Sequence, residues 1–109
     1  MAYDEGLAER IRGVLTDVPN VAERKMFGGL CFLVSGNMCC GIVGDTLMVR
    51  VGPDQYEGCL KLPYAREMDF TGRPMKGMLY IEPEGIAEDG GLSVWIGRCI
   101  TLVEGLPPK

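Results

Sequence analysis

Apolar positions recur at steps of three and four near the start of the chain. Leu7, Ile11, Val14, Leu15 and Val18 follow Asp4, a residue suited to capping a helix N-terminus. This spacing predicts an amphipathic helix over residues 4–17, ended by Pro19-Asn20. From Val21 to Val51 the pattern changes to short runs of β-branched, aromatic and sulfur residues, VAERKMF, LCFLVS, MCCGIV and TLMVRV, split by glycine. Two of the breaks, Gly36-Asn37 and Gly44-Asp45, are glycine-first pairs that suit two-residue hairpin turns. Pro53 opens a short helix over 53–61 with Tyr56, Cys59 and Leu60 on one side, closed by Leu62-Pro63. REMDF at 66–70 and GMLYIE at 77–82 give two further strands, joined by a loop through Thr71-Gly72-Arg73-Pro74. A last helix is expected over 88–103, its apolar side formed by Leu92, Trp95, Ile96, Cys99, Ile100 and Val103. Gly90-Gly91 should weaken its first turn.

The predicted order is α-β-β-β-β-α-β-β-α. Tight turns make the four-strand meander antiparallel, so the fold class is α+β, an antiparallel sheet with flanking helices. With 109 residues there is room for one domain, 1–109, and no repeat, linker or low-complexity tract divides it.

Register then assigns faces. If Gly36-Asn37 are the turn residues, Val34 lies opposite Cys39, Leu33 opposite Cys40 and Cys31 opposite Ile42. Cys39 and Cys40 point to opposite faces in that arrangement. One face gathers Cys31, Leu33, Met38, Cys40, Ile42, Leu47, Val49 and Val51 and should lie under the helices. The other carries Leu30, Phe32, Val34, Cys39, Val43 and Met48 with Arg50 at its edge, which is too apolar for an ordinary solvent-facing sheet. Either the third helix covers it or it meets a partner, so Phe32, Val34, Val43, Met48 and Arg50 are candidate interaction residues.

The stretch from Met26 to Cys40, MFGGLCFLVSGNMCC, invites chemical readings, and each meets an obstacle. A phosphate-cradling glycine loop needs a helix N-terminus behind it, whereas Leu30-Cys31-Phe32-Leu33-Val34 follows Gly28-Gly29 as a strand. The glycines are better explained as a corner between two strands. Zinc calls for convergent ligands at CxxC-like spacing, which this stretch lacks, and the whole chain has no histidine. Five cysteines, an odd number, in a chain that starts without a basic, apolar leader are expected to be reduced, unligated thiols in a cytoplasmic protein. The lack of histidine excludes Ser-His and Cys-His nucleophile pairs, and no catalytic carboxylate pair stands out. The chain is therefore expected not to be an enzyme, with no cofactor and no metal.

Charge narrows the partners. Eleven basic against fifteen acidic residues, net −4, argue against binding duplex DNA unaided, because neutralising phosphates requires a basic surface. No apolar run approaches the roughly 18 residues needed to span a bilayer, so no membrane partner is expected. The loop Thr71-Gly72-Arg73-Pro74-Met75-Lys76-Gly77 can present Arg73 and Lys76 to a carboxylate or phosphate, and these two join the candidate interaction residues.

Several ordered motifs also resemble a known family: RKMFGGLCF at 24–32, GNMCCG at 36–41, LMVRVG at 47–52 and MDFTGRPMKG at 68–77. They are similar to the N-terminal domain of the TfoX (Sxy) competence regulators, and the likeness runs from about Tyr3 to the closing Leu106-Pro107-Pro108-Lys109. The resemblance implies a fold like that of type III secretion chaperones and no catalytic residues. It also implies a bacterial regulator that acts by protein contact, as the full-length proteins do with the cyclic-AMP receptor protein at competence promoters. Those regulators carry a second, C-terminal domain, so the expectation here is a stand-alone N-terminal domain with a protein partner, a transcription regulator, or a second copy of itself. The competing expectation is a small-molecule or thiol-reactive sensor built on the cysteine-rich hairpin.

Overall fold

Asp4 begins the first helix as its sequence suggests: in a computed structural model of the chain its Oδ1 accepts hydrogen bonds from the backbone N–H of Gly6 (2.8 Å) and Leu7 (3.2 Å). The structure describes residues 3–26, 28–68 and 77–107. These form α1 (Glu5–Val14), β1 (Val21–Met26), β2 (Gly29–Val34), β3 (Asn37–Val43), β4 (Thr46–Arg50), α2 (Pro53–Leu60), β5 (Ala65–Glu67), β6 (Met78–Ile81), a 3-10 turn (Pro83–Ile86) and α3 (Asp89–Glu104). The strands make one sheet in the order β1-β2-β3-β4-β6-β5, and all neighbours run antiparallel. The class is α+β and the element order is the one the hydrophobic pattern predicts.

Two local expectations change. Strand β5 is three residues long and ends at Glu67, and Asp69 and Phe70 of the predicted strand lie outside the described residues. Helix α3 starts at Asp89 and runs straight through Gly90-Gly91. A Cβ at Gly91 would stand 2.8 Å from the carbonyl oxygen of Gly85, so the glycine lets the helix dock closely on the 3-10 turn. Tertiary contact outweighs the lost propensity.

The glycine pair Gly28-Gly29 is a strand corner. Met26 pairs with Gly29, Gly28 adopts a left-handed φ of 74°, and a Cβ on Gly29 would lie 1.8 Å from the Ile42 carbonyl oxygen. The next turn corrects the predicted register. Ser35 and Gly36, with φ of 51° and 84°, form the two-residue turn, and Val34 pairs with Asn37. Positive φ at both positions is the type I′ pattern, whose twist matches that of the flanking strands. Asn37 is drawn into the strand because its Nδ2 donates to the Pro107 carbonyl at 2.9 Å, with the residue only 2% exposed. The Gly44-Asp45 turn stands where the sequence puts it, between the paired Val43 and Thr46.

Moving a two-residue turn by one position shifts the pairing by two residues and keeps the faces; the extra residue Cys39, between Phe32↔Cys40 and Leu33↔Met38, is what turns β2 over relative to Cys40 and Ile42. Leu30, Phe32 and Val34 therefore face the helices, and Cys31 and Leu33 face away. The helix side of the sheet holds Ile42, Leu47, Val49, Leu79 and Ile81, covered by Leu7, Ala8 and Ile11 of α1, Tyr56 and Cys59 of α2, and Leu92, Trp95, Ile96, Cys99 and Val103 of α3. The third helix thus packs on the first face and leaves the second uncovered by it. On that second face Cys31, Leu33, Met48 and Met78 form a smaller cluster with Met68, edged by Met38, Val43 and Tyr80.

Candidate functional site

Strand β3 carries the two features with chemical potential, one on each face. Between Phe32↔Cys40 and Leu33↔Met38 the ladder with β2 skips a residue, which leaves Cys39 as the extra residue of a β-bulge. The bulge turns Cys39 and Cys40 to the same side, into the core under the helices, where an unbroken register would have separated them. Cys99, on the buried side of α3, belongs to the same core.

The three thiols act on one another. Hydrogen bonds from Cys40 and Cys99 draw the Cys39 thiol well below the usual thiol range, helped by the positive charge of Arg50 and opposed by burial. The same contacts with Cys39, and burial, hold Cys40 and Cys99 far above it. One thiolate is thus favoured at Cys39 and stabilised by two protonated neighbours. Cys31, across the sheet, is pushed up by burial alone. All five cysteines are free thiols and buried.

On the opposite side of the sheet Cys31 and Met48 have no exposure, while Met38, Val43 and Tyr80 are half-buried at the rim. Two cations stand at the margin. Arg50 donates from Nη1 to the Met38 carbonyl at 3.3 Å, and Arg66 lies over the Tyr80 ring at 5.0 Å while pairing with Glu82. Of the residues singled out from sequence, Val43, Met48 and Arg50 share this face. Phe32 (0% exposed) and Val34 (6%) do not: they belong to the helix-side core, a correction that follows from the one-residue bulge in β3. Arg73 and Lys76 lie outside the described residues.

A cleft of about 360 Å³ opens between the start of α2 and α3, lined by Val51, Gly52, Pro53, Asp54, Gln55, Arg98, Thr101 and Leu102. Arg98 stacks over Trp95 at 4.6 Å on its flank. Among the described residues no group of three or more Cys, Asp or Glu is placed to hold a metal ion.

A family model described as the TfoX N-terminal domain matches residues 14–102. The chain belongs to that family. No curated protein and no solved structure matches the chain. The matched span of this TfoX N-terminal domain runs from the last residue of α1 into the final turn of α3, and so contains all six described strands and all five cysteines. Most of α1 lies before it, including Arg12, whose Nε and Nη2 each bond a Glu23 carboxylate oxygen at 2.8 Å and tie the helix to β1. That clasp, the Cys39 bulge and the Asn37 anchor are the features of this domain that pattern reasoning misses. Only the adjacent Cys39-Cys40 pair gave any signal, because two neighbouring apolar residues in an alternating strand are what a bulge accommodates. Among the described residues no helix is long and apolar enough to cross a membrane.

Proposed function

We propose that this TfoX N-terminal domain is a non-enzymatic regulatory module that works by protein contact, as a co-regulator of transcription. The observation that carries the reading is the sheet face opposite the helices. Its centre, Cys31, Met48 and Met68, is buried, and its rim presents half-exposed Met38, Val43 and Tyr80 with Arg50 and Arg66 beside them. Methionine side chains adapt to varied apolar partners, and flanking cations select those with acidic margins. The occupant is therefore a protein that offers an apolar segment edged by carboxylates. Its class is inferred from the family, in which a DNA-bound regulator such as the cyclic-AMP receptor protein is the first to test.

Net charge of −4 fits a module that reaches DNA through another protein rather than directly. The test is the mobility of promoter DNA in a gel. The purified chain should leave free duplex unshifted and should further retard duplex that already carries the regulator. A shift of free duplex with steep salt dependence, or no effect on the regulator complex, would contradict the proposal. Sedimentation of the chain alone distinguishes the other occupant of the face, a second copy.

A further inference from the structure

We propose that the free edge of β1 is a docking site for an extended, acidic segment of a partner protein, which adds to the sheet as a further strand. The inference concerns the edge of the sheet rather than its helix-free face, and it does not depend on the reading of that face.

Strand β1 ends the sheet order β1-β2-β3-β4-β6-β5 and is six residues long. The Ser35 N–H donates to the Asn20 carbonyl at 3.0 Å, so the position just before β1 is a hydrogen-bonded pair with β2. Bonded and non-bonded pairs alternate along an antiparallel ladder. Ala22 and Arg24 therefore bond their β2 partners Leu33 and Cys31, and Val21, Glu23 and Lys25 turn their N–H and C=O groups outward. Among the described residues nothing bonds those outward groups. No proline or bulge interrupts the strand, and Ala22, Glu23, Arg24 and Lys25 are all exposed. Such a row is a template for strand addition. The opposite edge, β5, offers only three residues.

Charge selects the occupant. Arg10, Arg12 and Arg66 each hold a carboxylate, whereas Arg24 and Lys25 hold none among the described residues. Glu23, the one acidic residue of β1, is neutralised by Arg12. The edge is thus basic on a chain of net charge −4. Cross-strand partners share a face, so Arg24, opposite Cys31, and Lys25, opposite Leu30, project from opposite sides of the sheet. A segment that meets both carries two adjacent carboxylates, one for each side.

The same charges disfavour a second copy. A two-fold antiparallel pairing centred on Glu23, Arg24 or Lys25 sets that charge against its own copy. One centred on Ala22 leaves both cations without a carboxylate, and one centred between two residues sets outward groups against inward ones.

The experiment follows amide exchange of the folded chain, residue by residue, by NMR. The probe is a blocked octapeptide with two adjacent glutamates between threonine and valine residues; its control carries lysines in their place. With the acidic peptide in excess, exchange of the Val21, Glu23 and Lys25 amides should slow about tenfold or more, and that of Ala22 and Arg24, already bonded to β2, by less. The lysine peptide should give no slowing, and the double variant R24E/K25E should lose the response. If that variant fails to fold, the two peptides on the wild type decide the question. No slowing with acidic peptide up to about 1 mM, equal slowing with the lysine peptide, or slowing kept in folded R24E/K25E would overturn the proposal. Protection of the three amides in the chain alone, rising with its concentration, would give the edge to a second copy and overturn it too.

Discussion

Cys39 of β3 and Cys99 of α3 are both fully buried in the core between sheet and helix, though sixty residues separate them in the chain. The Cys39 thiol is drawn below the usual thiol range by its thiol neighbours and Arg50, and contact with Cys39 and burial push the Cys99 thiol above it. In an ultraviolet titration of the native protein, one thiolate is expected to ionise well below the usual thiol range. Cys31, Cys40 and Cys99, all pushed up, should stay neutral until the chain unfolds. C39S should remove the early step. Five thiols titrating together near the free value of about 8.5 would contradict this electrostatic arrangement.

Arg12 of α1 holds Glu23 of β1 through two 2.8 Å bonds, and this lowers the Glu23 carboxyl below its ordinary value of 4.5. A carboxyl whose folded pKa is depressed adds stability that is fully present above the unfolded pKa. That stability is lost as pH falls through the folded value. Thermal melting followed from pH 6 downward, a range chosen to straddle about 4.5, should show the wild type losing stability faster than E23Q below that point. Parallel curves for the two proteins would assign the clasp no role. The effect is expected to be small, since both side chains are about one-third exposed (35% and 36%).

Asn37 fixes the hairpin register by bonding the Pro107 carbonyl from a buried position. N37A leaves that carbonyl unpaired and should cost about 1–3 kcal/mol in urea unfolding. N37D, an isosteric change that adds a buried charge, should cost more. Wild-type stability in N37A would remove the anchor from the account.

Phe32 and Val43 sit on opposite sides of the sheet, and substitution separates them. F32E buries an unpaired charge under the helices and should abolish the cooperative melting transition. V43E, at the half-buried rim of the other face, should stay folded with a modest loss. A folded F32E protein would show that the face assignment is wrong.

The element order and the antiparallel class were legible because each hydrophobic run carries its own period and each turn its own glycine. The helix start at Asp4 and the turn at Gly44-Asp45 are local events, settled by a few neighbouring residues. The turn at Ser35-Gly36 is not. It depends on Asn37 reaching Pro107, seventy residues away, which no local preference encodes. That shift alone keeps the faces; the bulge turns Phe32 and Val34 inward and adds Cys39 to the core beside Cys40. The site was therefore half visible. Val43, Met48 and Arg50 were placed together correctly because β4 pairs with β3 through the turn that was read rightly.

The central claim is that the helix-free sheet face is where this domain acts, and transcript profiling with V43E tests it most directly. A host strain lacking the gene would be complemented with wild-type chain or with V43E, after confirming that the variant melts cooperatively and accumulates to the wild-type level. Transcripts altered by the deletion should return with the wild type and not with V43E. Full restoration by folded V43E, or a deletion that alters no transcript, would contradict the account.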